Sequence, residues 1–211
     1  MLNHADHKNL AGAARTPVLG VPAIPRRSVS SFLTFSVTFG VLLFGVARLA
    51  VAQSKADEYR LKAAFLFHFA QLVDWPPGAF ASDSDPVTLC TVGEDPFHGD
   101  LDAAVEGKSI GARPLRVRHF KQPQDIRGCQ LLFVGNRDSA NVSALFAALK
   151  DSPVLTVGEA DDFVKQGGMI GFFIENDKIR FDINLQSAEH AKLRISSRLL
   201  LLARKVTGSQ K

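Results

Sequence analysis

Three short apolar segments that end in glycine constrain the fold of this chain more than any other feature. They are Thr91-Val92-Gly93, Phe133-Val134-Gly135 and Thr156-Val157-Gly158, and acidic residues follow each of them. Glycine allows the turn, and the acids (Asp95, Asp138 and Asp161) stand where they would cap a following helix. These three loops are predicted to lie together at the carboxyl edge of a parallel sheet, where open α/β sheets usually bind ligands.

Hydrophobic periodicity predicts the remaining elements. Leu61, Phe65, Phe69 and Leu72 recur at helical spacing and predict a helix from Asp57 to Asp74, which Trp75-Pro76-Pro77 ends. Predicted strands cover Val87–Val92, Leu115–Phe120, Leu131–Val134, Val154–Val157, Met169–Ile174 and Lys178–Ile183. Predicted short helices cover Leu101–Val105, Ser139–Lys150 and Ala160–Gln166, and a longer amphipathic helix covers Ala188–Val206.

The order of these elements predicts the fold class. Short apolar strands that alternate with helices are typical of an α/β protein. The last two strands flank Asn176-Asp177, which is typical of a tight hairpin turn. We therefore predict an α/β fold with a mostly parallel central sheet flanked by helices, followed by a C-terminal β-hairpin and a closing helix.

The N-terminal part of the chain has the pattern of an export signal. Arg26-Arg27 precedes an apolar run from Phe32 to Val46, and Ala50-Val51-Ala52 follows. A positive flank, an apolar centre and a small-x-small motif are typical of a cleaved secretory signal. The run is short for a bilayer span, which takes about 20 residues, although an uncleaved anchor is the alternative. We predict a signal peptide with a long N-terminal extension over residues 1–52 and a single domain over residues 53–211, in an oxidising compartment outside the cytoplasm.

The basic charge of the chain belongs to this leader. The whole chain holds 25 Lys and Arg against 21 Asp and Glu. The first 52 residues hold five of the basic residues and one of the acids: Lys8, Arg15, Arg26, Arg27, Arg48 and Asp6. The remainder is formally neutral, so no basic stripe is left to bind nucleic acid.

Cys90 and Cys129 are the two cysteines of the chain. An even pair in an exported protein favours a disulfide, and two buried thiols are the alternative. Cys90 lies three residues before Gly93, whereas Cys129 lies six residues before Gly135. With strands in simple register the two sulfurs would be about 10 Å apart. A bond therefore requires a stagger between the strands or a position for Cys129 outside its strand.

Residue patterns for catalysis or metal binding are missing from the sequence. The histidines after the leader (His68, His98, His119 and His190) are scattered, without metal-ligand spacing. No nucleophile has a catalytic signature around it, so we predict no enzyme, no metal and no cofactor. The strand Met169–Ile174 has no polar alternation. Such a strand is either covered on both faces or presents an apolar patch to a partner.

Several sequence blocks occur in the order found in one known family. They are Tyr59–Leu66 with Phe69 and Trp75-Pro76, Cys90–Phe97, Gly107-Lys108 with Arg113–Leu115, Gly168–Phe172, Lys178–Leu185, and Leu193–Ser197 with Leu199 and Leu200. Together they resemble the YfiR family from Tyr59 to Ala203. The resemblance implies a periplasmic regulator without enzymatic activity. Relatives bind and repress the periplasmic sensor domain of an inner-membrane diguanylate cyclase, which lowers cyclic-di-GMP and biofilm formation.

The resemblance also implies partners and residue roles. An outer-membrane lipoprotein that sequesters the regulator is a second partner, and relatives often form homodimers. A disulfide between Cys90 and Cys129 is implied, while Val164 and Gly171 stand where relatives often carry a second cysteine pair. Two partner-binding positions of relatives match Ile170 and Asp182.

These residues lead to a hypothesis of repression by binding. An apolar hairpin surface around Ile170 and Phe172, rimmed by Arg180 and Asp182, is predicted to dock on the sensor domain. On this hypothesis Ile170→Asp weakens docking and leaves the domain folded. One alternative is a periplasmic small-ligand-binding accessory protein for a sensor kinase or transporter, with the ligand held by the three glycine-ended loops. Another is a structural envelope protein.

Overall fold

The central strands are apolar on both faces, and this places helices on both sides of one sheet. In β2 (Val87–Val92), Leu89 lies in one core cluster, while Cys90 and Val92 lie in a second. Successive residues of a strand point to opposite faces of its sheet. Continuous apolar strands therefore bury both faces of the sheet, as in other parallel α/β folds.

The computed structural model describes residues 55–122, 126–136 and 142–208. The predicted leader and residues 139–141 of a predicted helix lie outside these ranges. The helices are α1 (55–71), α2 (Asp100–Val105), α3 (Val142–Ala148), α4 (Leu185–His190) and α5 (Ser197–Leu202). The strands besides β2 are β1 (Val73–Asp74), β3 (Ser109–Ile110), β4 (Arg113–Phe120), β5 (Leu131–Val134), β6 (Leu155–Gly158), β7 (Ile170–Glu175), β8 (Lys178–Asn184), β9 (Arg194–Ile195) and β10 (Lys205–Thr207).

Eight strands form one sheet in the order β10-β8-β7-β6-β5-β2-β4-β3. The pairs from β4 through β2, β5 and β6 to β7 are parallel, and β10 runs parallel to β8. The β3–β4 and β7–β8 pairs are antiparallel. The predicted α/β class, with a mostly parallel sheet, a late hairpin and a closing helix, is confirmed.

The larger core cluster lies on the face of the sheet that α1 covers. It contains Leu66 and Phe69 of α1, together with buried residues of α2, α4 and α5. The smaller cluster lies on the opposite face, where Val142 and Leu145 of α3 pack with Phe163. Within the described ranges, no helix is both long enough and apolar enough to span a bilayer.

The predicted helix over Ala160–Gln166 is a series of turns. The hydrogen bond from Phe163 N to Ala160 O spans three residues, and the bond from Gly168 N to Phe163 O spans five. This mixture cannot build a regular helix, which requires a repeated four-residue spacing. The segment bends because the buried Phe163 ring packs directly on Gly158 and Gly168, where a Cβ atom would lie 2.2–2.4 Å from a ring carbon.

The prediction of a single helix over Ala188–Val206 is wrong, because the end of one helix, a strand, a second helix and another strand occupy this segment. Lys192 adopts a φ of 59°, which ends α4, and Arg194–Ile195 then forms β9. A second helix starts where the Ser196 side chain accepts a hydrogen bond from Leu199 N, and β10 follows it. The apolar spacing still marks the buried positions correctly, because Leu193 and Leu199 are both buried.

The end of the first predicted helix also differs from its prediction. The helix stops at residue 71, and Val73–Asp74 forms β1. This strand pairs antiparallel with β9, with Val73 opposite Ile195. A partner more than 100 residues away in sequence therefore decides the conformation of Val73, and local periodicity does not contain that information.

The Cys90–Cys129 disulfide is present and links the central strand β2 to the loop before β5, with Cα atoms 6.0 Å apart. Cys129 lies outside its strand, which begins at Leu131. This position removes the offset that simple strand register would impose. Both cysteines are buried on the face of the sheet that α3 covers.

Loss of this disulfide is expected to destabilise the domain substantially. The double variant Cys90→Ala/Cys129→Ala opens a covalent loop whose ends are 39 residues apart, and such a loop typically contributes about 2–4 kcal/mol. Urea unfolding monitored by circular dichroism measures the difference from the wild type. A reduced wild type with both thiols alkylated in the unfolded state provides the comparison. An unchanged urea midpoint for the double variant would contradict this expectation.

Candidate partner-binding surface

A two-residue turn fixes which side chains of the hairpin share a face. Asn176 and Asp177 have φ values of 51° and 58°, as expected for the turn type that matches the twist of paired strands. In the resulting register, Phe173 lies opposite Arg180 and Glu175 opposite Lys178. Phe173 and Glu175 therefore point to one face, and Ile170, Phe172 and Ile174 to the other.

Ile170 and Phe172 point into the core. They are 0% and 2% exposed. The Phe172 ring stacks on Phe69 of α1 at a centroid distance of 5.5 Å and meets Phe65 at 5.9 Å. The prediction that these two residues form an exposed docking surface is wrong, because the aromatic face of α1 covers them.

Arg180 and Asp182 lie on the opposite face of the hairpin, away from α1. Asp182 is held by Arg204: Nε donates to Oδ1 at 3.0 Å and Nη2 to Oδ2 at 2.6 Å. The Arg204 guanidinium also stacks 3.9 Å from the centroid of the Phe173 ring. The hydrogen bonds to Asp182 raise the pKa of Arg204 above its ordinary value, against a smaller opposing effect of desolvation. Asp182 thus has an internal partner that the sequence did not reveal.

Exposed residues at the tip and outer face of the hairpin form a candidate surface. Ile174 is 51% exposed although it is a large aliphatic residue. Arg180 is exposed and makes no ion pair within the described part of the chain. We call Ile174, Lys178 and Arg180, with the partly exposed Phe173 and Asp182, the hairpin surface. It combines apolar and charged groups on one rigid element.

A second exposed apolar residue lies on α1. Leu61 is 50% exposed and precedes Phe65 by one helical turn, so both lie on the same side of α1. Phe65 contacts Phe172 and Phe181 of the hairpin. Leu61 therefore continues the side of α1 that packs on the hairpin.

The three glycine-ended loops do follow neighbouring parallel strands, as predicted, but side chains fill the space beside them. Glu159 follows β6 and accepts hydrogen bonds from Tyr59 Oη at 2.9 Å and Asn136 N at 3.0 Å. Lys62 of α1 binds its other carboxylate oxygen at 2.5 Å. The buried Phe97 ring packs edge-on against Tyr59 at 5.6 Å. The edge of the sheet where open α/β folds usually bind ligands is thus occupied by a buried ion pair and by aromatic rings.

The acids after the strand-end glycines do not cap helices where the structure describes them. Asp95 accepts a hydrogen bond from Phe97 N, and α2 begins after Gly99 without a side-chain cap. Asp161 is followed by turns, and Asp138 lies outside the described residues.

His119 takes part in a short hydrogen-bond network at the ends of β2 and β4. Its Nδ1 lies 2.7 Å from Thr91 Oγ1, and its Nε2 lies 3.3 Å from Asp102 Oδ2. Thr91 is 1% exposed, so its hydroxyl is not presented to a substrate. Among the described residues, no group of three or more His, Cys, Asp or Glu side chains is arranged to hold a metal ion.

A cavity of about 380 Å³ opens at the other edge of the sheet. Apolar side chains line most of it, among them Phe146, Leu149 and Met169, and Lys150 and His190 stand at its polar part. The cavity lies near the start of β6 and β7, away from the three glycine-ended loops.

The family assignment follows from the sequence of the whole domain. The YfiR/HmsC-like family model matches residues 59–204, which include every strand of the eight-stranded sheet except β10. The chain belongs to the YfiR/HmsC-like family. This family is a regulatory, non-catalytic one whose members are periplasmic regulators of diguanylate cyclase signalling. The disulfide fits the oxidising compartment in which the YfiR/HmsC-like proteins act.

Comparison with other proteins adds a distant structural likeness. A solved conserved domain protein from Vibrio cholerae O1 biovar El Tor strain N16961 is similar at a TM-score of 0.44 with 10% sequence identity. The match covers 57% of this chain and 54% of that one, so this chain spans about half of the solved protein. No curated protein matches the chain.

Val164 and Gly171, the residues that the resemblance placed in the region of a second cysteine pair, are close together in the structure. A Cβ atom built on Gly171 would lie 3.9 Å from Val164 Cβ and 2.7 Å from its Cγ2 atom. The first distance is typical of disulfides, whose Cβ atoms are usually about 3.8 Å apart. The distance between the two Cβ positions is therefore compatible with a disulfide between residues 164 and 171.

The double variant Val164→Cys/Gly171→Cys is expected to form that bridge on oxidation. The short loop gives a stabilisation of about 2–3 kcal/mol on the chain-entropy model. Thiol titration measures whether the bridge forms. The urea midpoint with and without reductant measures how much the bridge stabilises the domain. Gly171→Ala alone serves as the control and is expected to be destabilised, because its methyl group meets Val164. Free thiols persisting in the folded, oxidised double variant would contradict the geometry.

Proposed function

We propose that this protein is exported by a cleavable N-terminal signal and represses an inner-membrane diguanylate cyclase by binding its periplasmic sensor domain. Repression lowers cyclic-di-GMP. An outer-membrane lipoprotein that sequesters the protein, and a homodimer, are further states within this proposal. The protein needs no substrate turnover for this role.

The hairpin surface is the observation that supports direct binding best. Arg180 projects from the outer face of the two-stranded element, whose other face is anchored in the core by Ile170 and Phe172. Ile174 is exposed near the tip of the hairpin, on the same face as these two anchors. An exposed aliphatic residue and an arginine that has no ion pair among the described residues match the composition of protein interfaces, which are enriched in arginine and exclude water around apolar anchors. The rigid anchoring limits the conformational entropy lost on docking.

Repression in this scheme is a population shift. The regulator lowers cyclase activity only to the extent that it binds the inactive arrangement of the sensor domain more tightly than the active one. A 100-fold preference, about 2.7 kcal/mol, would shift that equilibrium by the same factor. The filled carboxyl edge of the sheet is consistent with such a role, because binding then falls to the outer surface.

The test combines a membrane pull-down with a cyclic-di-GMP measurement in cells. Ile174→Asp and Arg180→Glu change exposed residues and are expected to weaken capture of the cyclase at least about tenfold, as interface anchors do. Cyclic-di-GMP should rise in the same strains. Arg116→Glu on β4 is the matched control, because Arg116 is exposed on a strand far from the hairpin in the sheet order.

Two outcomes would count against this assignment. If both hairpin variants capture the cyclase and repress it like the wild type, the hairpin surface is not the binding site. If the wild type captures no cyclase from membranes, direct binding itself is refuted.

A second candidate function is binding of a small ligand, and the cavity at the amino edge of the sheet supports it. Its volume of about 380 Å³ falls in the range of small-molecule sites. A thermal-shift screen with periplasmic metabolites tests this function. A ligand that stabilises the wild type and loses its effect in Met169→Trp, which fills the cavity, would support it.

A further inference from the structure

Two adjacent leucines at the end of α5 project almost entirely into solvent. Leu201 is 85% exposed and Leu202 is 65% exposed, the two largest exposures of a large hydrophobic residue among the described residues. Their neighbours Leu199 and Leu200 pack on the core and hold the helix in place. A single exposed leucine is ordinary, but an adjacent pair at the tip of a six-residue helix forms a compact aliphatic protrusion.

The segment that carries this protrusion is strongly basic. Residues 191–211 contain six Lys and Arg and no Asp or Glu, although the chain after its leader is neutral. Lys192, Arg198 and Lys205 are exposed and make no ion pair within the described ranges. Arg194 has Asp74 as its cross-strand neighbour, and Arg204 is neutralised by Asp182 and Glu175.

The charge and the aliphatic pair lie close together. Arg198 precedes Leu201 by three residues and Leu202 by four within α5, so the three side chains share one side of the helix. Lys205 follows Leu202 by three residues at the start of the edge strand β10. Leucines flanked by basic residues are the combination with which peripheral proteins bind anionic membranes.

We propose that this end of the domain docks on the surface of an anionic phospholipid bilayer. Leu201 and Leu202 enter the boundary between headgroups and acyl chains, and Arg198 and Lys205 contact phosphate groups. An acidic protein surface fits less well, because leucine is under-represented among the residues that dominate protein interfaces. A protruding aliphatic tip also needs no complementary pocket in a fluid bilayer. This inference does not depend on the proposed repression of a cyclase.

Vesicle flotation tests the proposal. The exported protein is purified with its N-terminus determined by mass spectrometry, so that all variants share the same N-terminal residues. It is mixed with vesicles of phosphatidylcholine alone or of phosphatidylcholine with phosphatidylglycerol. The wild type is expected to float with the anionic vesicles only and to detach as salt is raised, because headgroup attraction is screened.

Two variants separate the contribution of the leucines to membrane binding from that of the basic residues. Leu201→Gln/Leu202→Gln is expected to lower the partition coefficient at least about tenfold, because both aliphatic side chains are lost from the bilayer. Arg198→Gln is expected to lower it about fivefold at low salt, as one basic residue near an anionic surface contributes about that factor. Leu61→Gln is the matched control: Leu61 is 50% exposed on α1, outside the basic segment, and its loss should leave flotation unchanged.

Three results would overturn the proposal. One is a wild type that does not float with anionic vesicles, which is also the outcome expected if the basic segment binds an acidic protein. Another is a folded Leu201→Gln/Leu202→Gln variant that floats as well as the wild type. The third is a Leu61→Gln variant that loses as much binding as the double variant. The urea midpoint of each variant verifies that it is folded.

Discussion

Ile170→Asp is expected to unfold the domain. Ile170 is 0% exposed at the start of β7, within the larger core cluster. The substitution removes an aliphatic side chain, which costs about 2–5 kcal/mol in a core, and leaves a buried charge without a partner, which costs about 3–5 kcal/mol. The combined loss is comparable with the whole stability of an ordinary domain, about 5–15 kcal/mol. Circular dichroism and the urea midpoint measure it.

Ile174→Asp is the matched control for this experiment. It makes the same chemical change two residues further along the same strand, at a side chain that is 51% exposed. Its expected cost is within about 1 kcal/mol, as for other exposed strand positions. Equal stability of the two variants would show that α1 does not cover the hairpin. A loss of cyclase repression in Ile170→Asp would thus report unfolding and not a lost contact.

Lys62→Met is expected to destabilise the domain by about 3–5 kcal/mol, because it leaves the carboxylate of Glu159 without its cationic partner. The two side chains are 5% and 8% exposed and form an ion pair that ties α1 to the end of β6. Glu58 also contacts Lys62 from the preceding turn of the helix. Urea unfolding of the single variant measures the cost.

The double variant Lys62→Met/Glu159→Leu distinguishes a lost charge pair from lost packing. Replacing both members of a buried ion pair by apolar residues is often neutral or stabilising, so the double variant should recover most of the stability that Lys62→Met loses. Glu159→Leu alone removes the acceptor for Tyr59 and Asn136 as well. If the losses of the two single variants simply add, the ion pair makes no specific contribution.

The elements that the sequence predicts well are those with local causes. Val87–Val92 has the predicted bounds because an apolar run ends in a glycine with a φ of 82°. The hairpin is confirmed because Asn176 and Asp177 tolerate positive φ. Two further local signals are helix caps: Asn184 caps α4 just before the single helix predicted over Ala188–Val206, and Ser196 caps α5 inside it.

At the candidate site, residues distant in the sequence decide which side chains are exposed and which are paired. An apolar strand such as β7 is compatible with a core or with an exposed patch, and only the distant Phe65 and Phe69 decide that Ile170 and Phe172 are buried. Asp182 looked available for a partner because Arg204, which holds it, follows 22 residues later. The partner-binding roles of Arg180 and Asp182 remain predictions.

The stacking of Phe69 on Phe172 also affects how the chain folds during synthesis. The aromatic side of α1 is synthesised before the hairpin that covers it, which follows roughly 100 residues later, so the nascent chain carries uncovered aromatic rings for about half of its translation. Contacts of such long sequence separation form slowly. Chaperones that shield the aromatic side of α1 until the hairpin is synthesised are therefore expected to raise the yield of folded protein.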